Sequence, residues 1–150
     1  MKTVSTKGIV LKRVDYAEAD RIVTLLTPDM AQVRAIAKGV RRPKSKLAGG
    51  LQLLSVCDVT LMESRGDLKL VRSARIDRHF ADIIKDYDRM EFAYQMIESM
   101  YVLTSDIDEP DAYVILETGL DSLNMVDIPL AVTQLWFYLH MLTLLGSNPT

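Results

Sequence analysis

A single cysteine, two histidines and one tryptophan leave several kinds of chemistry without material in this 150-residue chain. Cys57 has no partner for an internal disulfide and lies in an apolar stretch, so it is expected as a buried free thiol in a reducing compartment. One cysteine with only His79 and His140 falls short of an in-chain zinc set. The start, Met1-Lys2-Thr3-Val4-Ser5-Thr6-Lys7, lacks the apolar segment of a secretory leader, which makes the cytoplasm the expected compartment. The most apolar run, Leu130 to Leu145, is too short for a bilayer and contains Thr133, Gln134, His140 and Thr143, so it reads as a buried helix. Acid is locally missing as well: no Asp or Glu occurs between Met30 and Asp58.

What fills that gap is cationic. Arg34, Lys38, Arg41, Arg42, Lys44 and Lys46 crowd around the segment Lys38-Gly39-Val40-Arg41-Arg42-Pro43-Lys44-Ser45-Lys46. Gly39 and Pro43 interrupt strand or helix, which predicts an exposed turn suited to phosphate. A run of this kind is also compatible with a plain solvated loop. The balance along the chain favours phosphate. Net charge is −2, yet residues 1–75 hold 15 Lys/Arg against 7 Asp/Glu, while residues 76–150 hold 3 against 13. Contact with a polyanion therefore belongs to the N-terminal part.

The first half alternates. Runs rich in Val, Ile, Leu and Thr at 6–14, 21–27, 32–38, 51–63 and 68–75 predict five strands. In the third, Val33, Ala35 and Ala37 share one face and Gln32, Arg34, Ile36 and Lys38 the other. Thr27-Pro28-Asp29-Met30-Ala31 and Ser64-Arg65-Gly66-Asp67 read as turns. Five short strands predict a small closed barrel of OB type, with an SH3-like barrel as the structural competitor.

Beyond Arg75 the period becomes helical, at Phe80, Ile83, Ile84 and Tyr87 and then at Ala93, Met96, Ile97, Met100, Tyr101 and Thr104. Pro110 marks one further helix start, and Asp127 is expected to cap another with Pro129 inside its first turn. The last helix is apolar nearly all round, which predicts a central place in a bundle. The expected class is α+β, a barrel over 1–77 followed by a helical domain over 78–150.

Catalytic motifs fail in turn. Gly39 to Ser45 lacks the second glycine of a Walker loop, since Lys44 follows Pro43. Asp86 with Asp88, and Asp106 with Asp108 and Asp111, lack the spacing of a calcium loop and read as solvated helix ends. His140 reads as a hydrogen-bonded core histidine, and Met90, Met96 and Met100 as packing. No catalytic residue, metal or cofactor is expected.

Four blocks in order carry a resemblance. Lys7-Gly8-Ile9-Val10-Leu11-Lys12, Asp15 through Thr27, Ala37 through Leu47, and Arg65-Gly66-Asp67-Leu68 resemble the N-terminal part of the bacterial recombination mediator family RecO. The helical half ending in Leu144-Leu145-Gly146 with Pro149 resembles the family's continuation. The resemblance implies an OB domain, a helical domain, binding of single- and double-stranded DNA, and strand annealing. It further implies work with RecR and single-stranded-DNA-binding protein to load RecA, in the cytoplasm and at the nucleoid. Ala17 and Ala31 stand where the family commonly has glycine. Many members also continue past a position like Pro149 into a cysteine cluster that often binds zinc; here either the helical part is cut short or the cluster is absent by nature, and zinc is not carried over.

The expected mechanism is capture of DNA backbone without chemistry on it. Arg34, Lys38, Arg41, Arg42, Lys44 and Lys46 are the expected phosphate contacts, Arg41 and Arg42 foremost, with Lys7, Lys12 and Arg13 extending the track. Base stacking is expected to be minor, because Tyr16 is the only aromatic residue before Phe80. For the acidic half, the resemblance implies docking of the tail of single-stranded-DNA-binding protein. That tail is expected beside Arg78, Lys85 and Arg89, with Phe80, Ile84 or Phe92 lining its pocket. A helical protein-interaction adaptor with a structural barrel, and an RNA-binding OB protein, are the alternatives.

Overall fold

The computed structural model describes residues 2–146; Met1 and Pro149, which entered the readings of the leader and of the family continuation, lie outside them. Five strands, β1 (Thr3–Tyr16), β2 (Asp20–Thr27), β3 (Ala31–Ala37), β4 (Ser55–Met62) and β5 (Lys69–His79), close a barrel in the order β1-β2-β3-β5-β4. β1 serves two neighbours. Its first part pairs with β4 from Thr3↔Met62 to Ile9↔Val56, and its second with β2 from Ile9↔Leu26 to Tyr16↔Asp20. A register shift between Val10 and Lys12 bends the strand where the partner changes. The parallel contact of β3 with β5, Ala35↔Lys69 and Ile36↔Leu70, completes the ring. This is the OB-type barrel that the strand pattern predicts.

The alternation expected in β3 holds, with Val33, Ala35 and Ala37 buried in the barrel core beside Val23, Leu25, Cys57, Val59 and Leu61. Of the fourth expected strand, only Ser55 onward is extended. Leu51 and Leu54 are buried before it, and Leu54 takes a positive φ of 57°, which breaks the run. A single helical turn at Ala48–Gly50 precedes them, and a Cβ on Gly50 would lie 2.2 Å from the Ala74 carbonyl, so no larger residue fits. Ala17, in the β1–β2 turn, and Ala31, where the β2–β3 turn enters β3, have φ of 50° and 54°. Both keep the left-handed turn without the glycine that suits it.

The chain divides into two compact units, one ending at His79 and the other starting at Phe80. β5 thus runs past the expected boundary at 77. The second unit holds α1 (Ala81–Ile84), α2 (Tyr87–Asp106), α3 (Ala112–Asn124) and α4 (Leu130–Gly146). The region from Phe80 to Met100 is not one helix. Asp86 stops it and caps α2, its carboxylate accepting from the amides of Asp88 and Arg89 at 3.0 and 3.2 Å. The Asn124 side chain accepts from the amides of Asp82 and Ile83 at the start of α1. Met96 and Met100 of α2 are fully buried, as are Leu116, Leu120 and Leu123 of α3, and Phe92 meets Phe137 of α4 edge to face at 6.0 Å.

Two expectations for α4 need correction. It begins at Leu130, so Pro129 precedes its first turn rather than sitting within it. Nor is it enclosed: Thr133, Phe137 and Leu144 are buried, while Leu135, Tyr138, Leu139, Leu142 and Leu145 are exposed. The described helices α2 and α3 cover only one stripe of a helix whose other sides are equally apolar. His140 is half-buried, its Nδ1–H donating to the Trp136 carbonyl at 2.8 Å. No described helix is long and apolar enough to cross a membrane.

Candidate nucleic-acid interface

The basic loop between β3 and β4 is held by its apolar residues. Val40 and Leu51 are buried in the barrel core and Leu47 packs against it, so the segment between them is tethered at intervals. Gly39 turns the chain with φ of 68° and donates its amide to the Asp20 carboxylate at 2.8 Å. Arg42 and Ser45 donate their amides to the Gly39 and Arg42 carbonyls, each at 3.0 Å, and Ser45 Oγ accepts from the amides of Leu47 and Ala48. These bonds pin the loop at several points, and its cations are left outward. Arg34, Lys38, Arg42, Lys44 and Lys46 are exposed, and among the described residues none of the five is paired with a carboxylate.

Arg41 stands differently from its neighbour. Its amide donates to the Ala19 carbonyl at 2.9 Å, and its guanidinium reaches the carbonyls of Asp20 (3.1 Å), Tyr16 (3.2 Å) and Ala17 (2.8 Å). Asp15 lies 3.7 Å away and also pairs with Arg21 at 3.0 Å. The Arg21 hydrogen bond first, and then the charges of Arg41, Arg21 and Arg13, hold the Asp15 carboxyl below its ordinary range. Arg41 thus fastens the β1–β2 turn to the basic loop. It also brings Asp15 and Asp20 beside a segment that is free of acid in sequence.

Lys7 is set apart from this cluster. It lies on the β1–β4–β5 side, bridging Asp58 (2.9 Å) and Asp77 (3.0 Å), and Asp58 also meets Arg75 at 3.4 Å. Its ammonium is neutralised where it stands. Lys12 and Arg13 are exposed on the β1–β2 ribbon, and the registers Lys12↔Thr24 and Thr24↔Arg34 put Lys12 and Arg34 in one lateral row.

The expected peptide-docking residues stand in different settings. Arg78 is half-buried on β5, Lys85 is exposed and pairs with Asp82 at 3.4 Å, and Ile84 is exposed. Phe80 and Phe92 are buried. The Arg89 side chain is 7% exposed and donates to the carbonyls of Leu123 (2.7 Å), Met125 (3.4 Å) and Ile128 (2.5 Å), so it has little left to offer a ligand. One sequence signal pointed there: Arg89 lies on the stripe that continues through Phe92, Ala93 and Met96. Nothing local could have shown that Asp58 neutralises Lys7 or that Asp20 receives Gly39, because both pairs span distant parts of the chain.

Among the described residues no group of three His, Cys, Asp or Glu side chains could hold a metal ion. The described features are an OB-type barrel, a tethered basic loop and a helical second unit. Residues 1–80 match the family model for the recombination protein O N terminal. Over 145 residues the chain is 38% identical to the DNA repair protein RecO of Rhodopirellula baltica, covering 95% of the chain and 53% of that protein. With the RecO of Acetivibrio thermocellus the identity is 33%, covering 99% and 59%, and with that of Heliobacterium modesticaldum it is 34%, covering 99% and 54%. The chain spans about half the length of the curated relatives it matches. With the family model covering more than half of its residues and the barrel in place beneath it, the chain belongs to the RecO family.

Proposed function

We propose that this chain serves DNA repair by recombination, its barrel capturing DNA backbone without chemical change to it. The observation that carries this reading is the set of exposed cations Lys38, Arg42, Lys44 and Lys46, without a carboxylate partner among the described residues, on a loop pinned by the amides of Gly39, Arg41, Arg42 and Ser45. A cationic loop whose backbone is held in this way binds phosphate at a smaller entropy cost than a free one. Arg34 joins the loop cations, and Lys12 and Arg13 extend the track along the ribbon. Lys7 contributes least, being neutralised, and Arg41 acts mainly by holding the loop. A protein that grips phosphates and leaves base edges free suits annealing of single strands as well as binding of duplex.

The proposed setting is cytoplasmic and nucleoid-associated, with RecR and single-stranded-DNA-binding protein as partners and RecA loading as the outcome. For the acidic tail of the latter, Lys85 with Ile84 remains the exposed pair in the helical unit. A second reading, an adaptor that works through the helical unit, is favoured by the uncovered apolar side chains of α4.

A salt titration separates the two. If about four to six phosphates are neutralised, log affinity for single-stranded DNA falls with log salt at a slope of roughly −3 to −4. The triple variant Lys38→Ala, Arg42→Ala, Lys44→Ala then binds weakly with an unchanged circular dichroism spectrum. A flat salt response would leave the adaptor reading standing.

A further inference from the structure

The strand registers set two lateral rows side by side on the β1–β2–β3 sheet. In one, Lys12 is opposite Thr24 and Thr24 opposite Arg34; in the next, Val14 is opposite Ile22 and Ile22 opposite Ile36. Residues in register share a face, and side chains two apart along a strand return to it. Tyr16, two beyond Val14, therefore continues that row's face at the tip of the ribbon, where it pairs with Asp20. The core packs against the opposite face, through Val23 and Ala35. Val14 and Tyr16 are 46% and 50% exposed, and Ile22 and Ile36 are half-buried. Exposed apolar residues scattered singly call for no explanation. Here four adjoin, on a sheet face that also carries Arg34, with Lys38 just past the end of β3.

The tip is also fixed in place. Arg41 donates to the carbonyls of Tyr16 and Ala17, so the backbone under the Tyr16 ring is tied to the loop that carries Arg42 and Lys44. An aromatic face beside a row of cations is the combination that holds a single strand, bases on the ring and phosphates on the charges. A duplex keeps its bases stacked inside and can use only the charges.

We propose that Tyr16 is a base-stacking residue and that Val14, Ile22 and Ile36 form the apolar strip on which unpaired bases of single-stranded nucleic acid rest. The assignment rests on the DNA-binding reading above and adds base contact to it. It also revises the sequence expectation that stacking is minor: one aromatic residue suffices for a platform when three aliphatic neighbours extend it.

The test compares an oligothymidylate, an abasic oligomer of the same length and a duplex. Wild type binds the oligothymidylate about ten- to a hundredfold more tightly than the abasic strand. Tyr16→Ala removes that difference and leaves duplex and abasic affinities unchanged, while Tyr16→Phe keeps it. Because Arg41 holds the Tyr16 carbonyl and not its ring, Tyr16→Ala retains the tether, and an unchanged melting temperature verifies this. Photocrosslinking with 5-iodouracil in the strand places the adduct on Tyr16. Equal affinity for thymidylate and abasic strands, or adducts confined to other residues, overturns the stacking assignment while leaving backbone capture intact. Absence of binding to all three overturns both.

Discussion

The guanidinium of Arg41 closes on the carbonyl oxygen of Ala17 at 2.8 Å, joining a loop and a hairpin turn that lie 24 residues apart in sequence. Arg42, the next residue, is exposed and makes no ion pair among the described residues. The two arginines should therefore separate by experiment. Arg41→Ala removes charge-assisted bonds from a side chain that is 26% exposed, and a loss of about 1–3 kcal/mol is expected in urea unfolding. Arg41→Lys does not restore it, since an ammonium cannot span the three carbonyls as the fork does. Arg42→Ala leaves unfolding unchanged and lowers DNA affinity, shallowing the salt slope by roughly one unit or less. Equal effects of the two on stability would refute this division.

Ala17 and Ala31 both hold positive φ, at 50° and 54°. A Cβ in that region is strained by about 1–2 kcal/mol. Glycine relieves the strain but costs about 0.5–1 kcal/mol in chain entropy. Ala17→Gly and Ala31→Gly are each expected to be neutral or to stabilise by up to about 1 kcal/mol, against the usual sign of such a change. Thermal melting that drops by several degrees in either variant would contradict the left-handed turns.

Arg89 is enclosed by the carbonyls at the end of α3 and the start of α4, with Asp86 3.8 Å away. Arg89→Ala strands those acceptors, and a loss of about 2–4 kcal/mol is expected. The same variant tests the docking role, because a peptide-binding defect at this site should scale with unfolding. Lys85→Glu, at an exposed position, should alter peptide binding without a stability cost. Loss of binding in folded Arg89→Ala would restore Arg89 as a direct contact.

Acid stability should depend on Asp58. Its hydrogen bond from Lys7 lowers its pKa from an ordinary 3.8, so its contribution is present above that value and is lost as pH falls through the depressed one. Lys7 is raised from 10.5 by the bonds to Asp58 and Asp77, so its contribution persists through neutral pH and is lost only as pH rises past the raised value. Asp58→Asn should flatten the dependence of unfolding midpoint on pH below about 4. An unchanged acid limb would show the pair to be energetically silent, as exposed pairs often are.

The strands were legible because a half-buried strand alternates, and Val33, Ala35 and Ala37 do so openly. The start of β4 was not, because Leu51 and Leu54 serve the core from irregular backbone, and an apolar residue looks alike in either setting. For α4, the sequence showed an apolar surface but not which sides would find partners. The basic loop was visible as composition. Its division into a fastener and exposed contacts was not, since the choice between Arg41 and Arg42 is made by carbonyls of the β1–β2 turn. Arg89 was half legible: its place on a buried stripe was open to view, its carbonyl partners were not.

Cys57 lies fully buried in the barrel, and burial pushes its thiol up to about 11. At neutral pH the thiol is protonated and shielded, so reagents that attack thiolates find it only when the barrel opens. The rate of its labelling then reads out the frequency of that opening, with no engineering required. A cysteine placed at an exposed position such as Lys44 would meanwhile take up dye alone, giving the native barrel a single optical address on the loop.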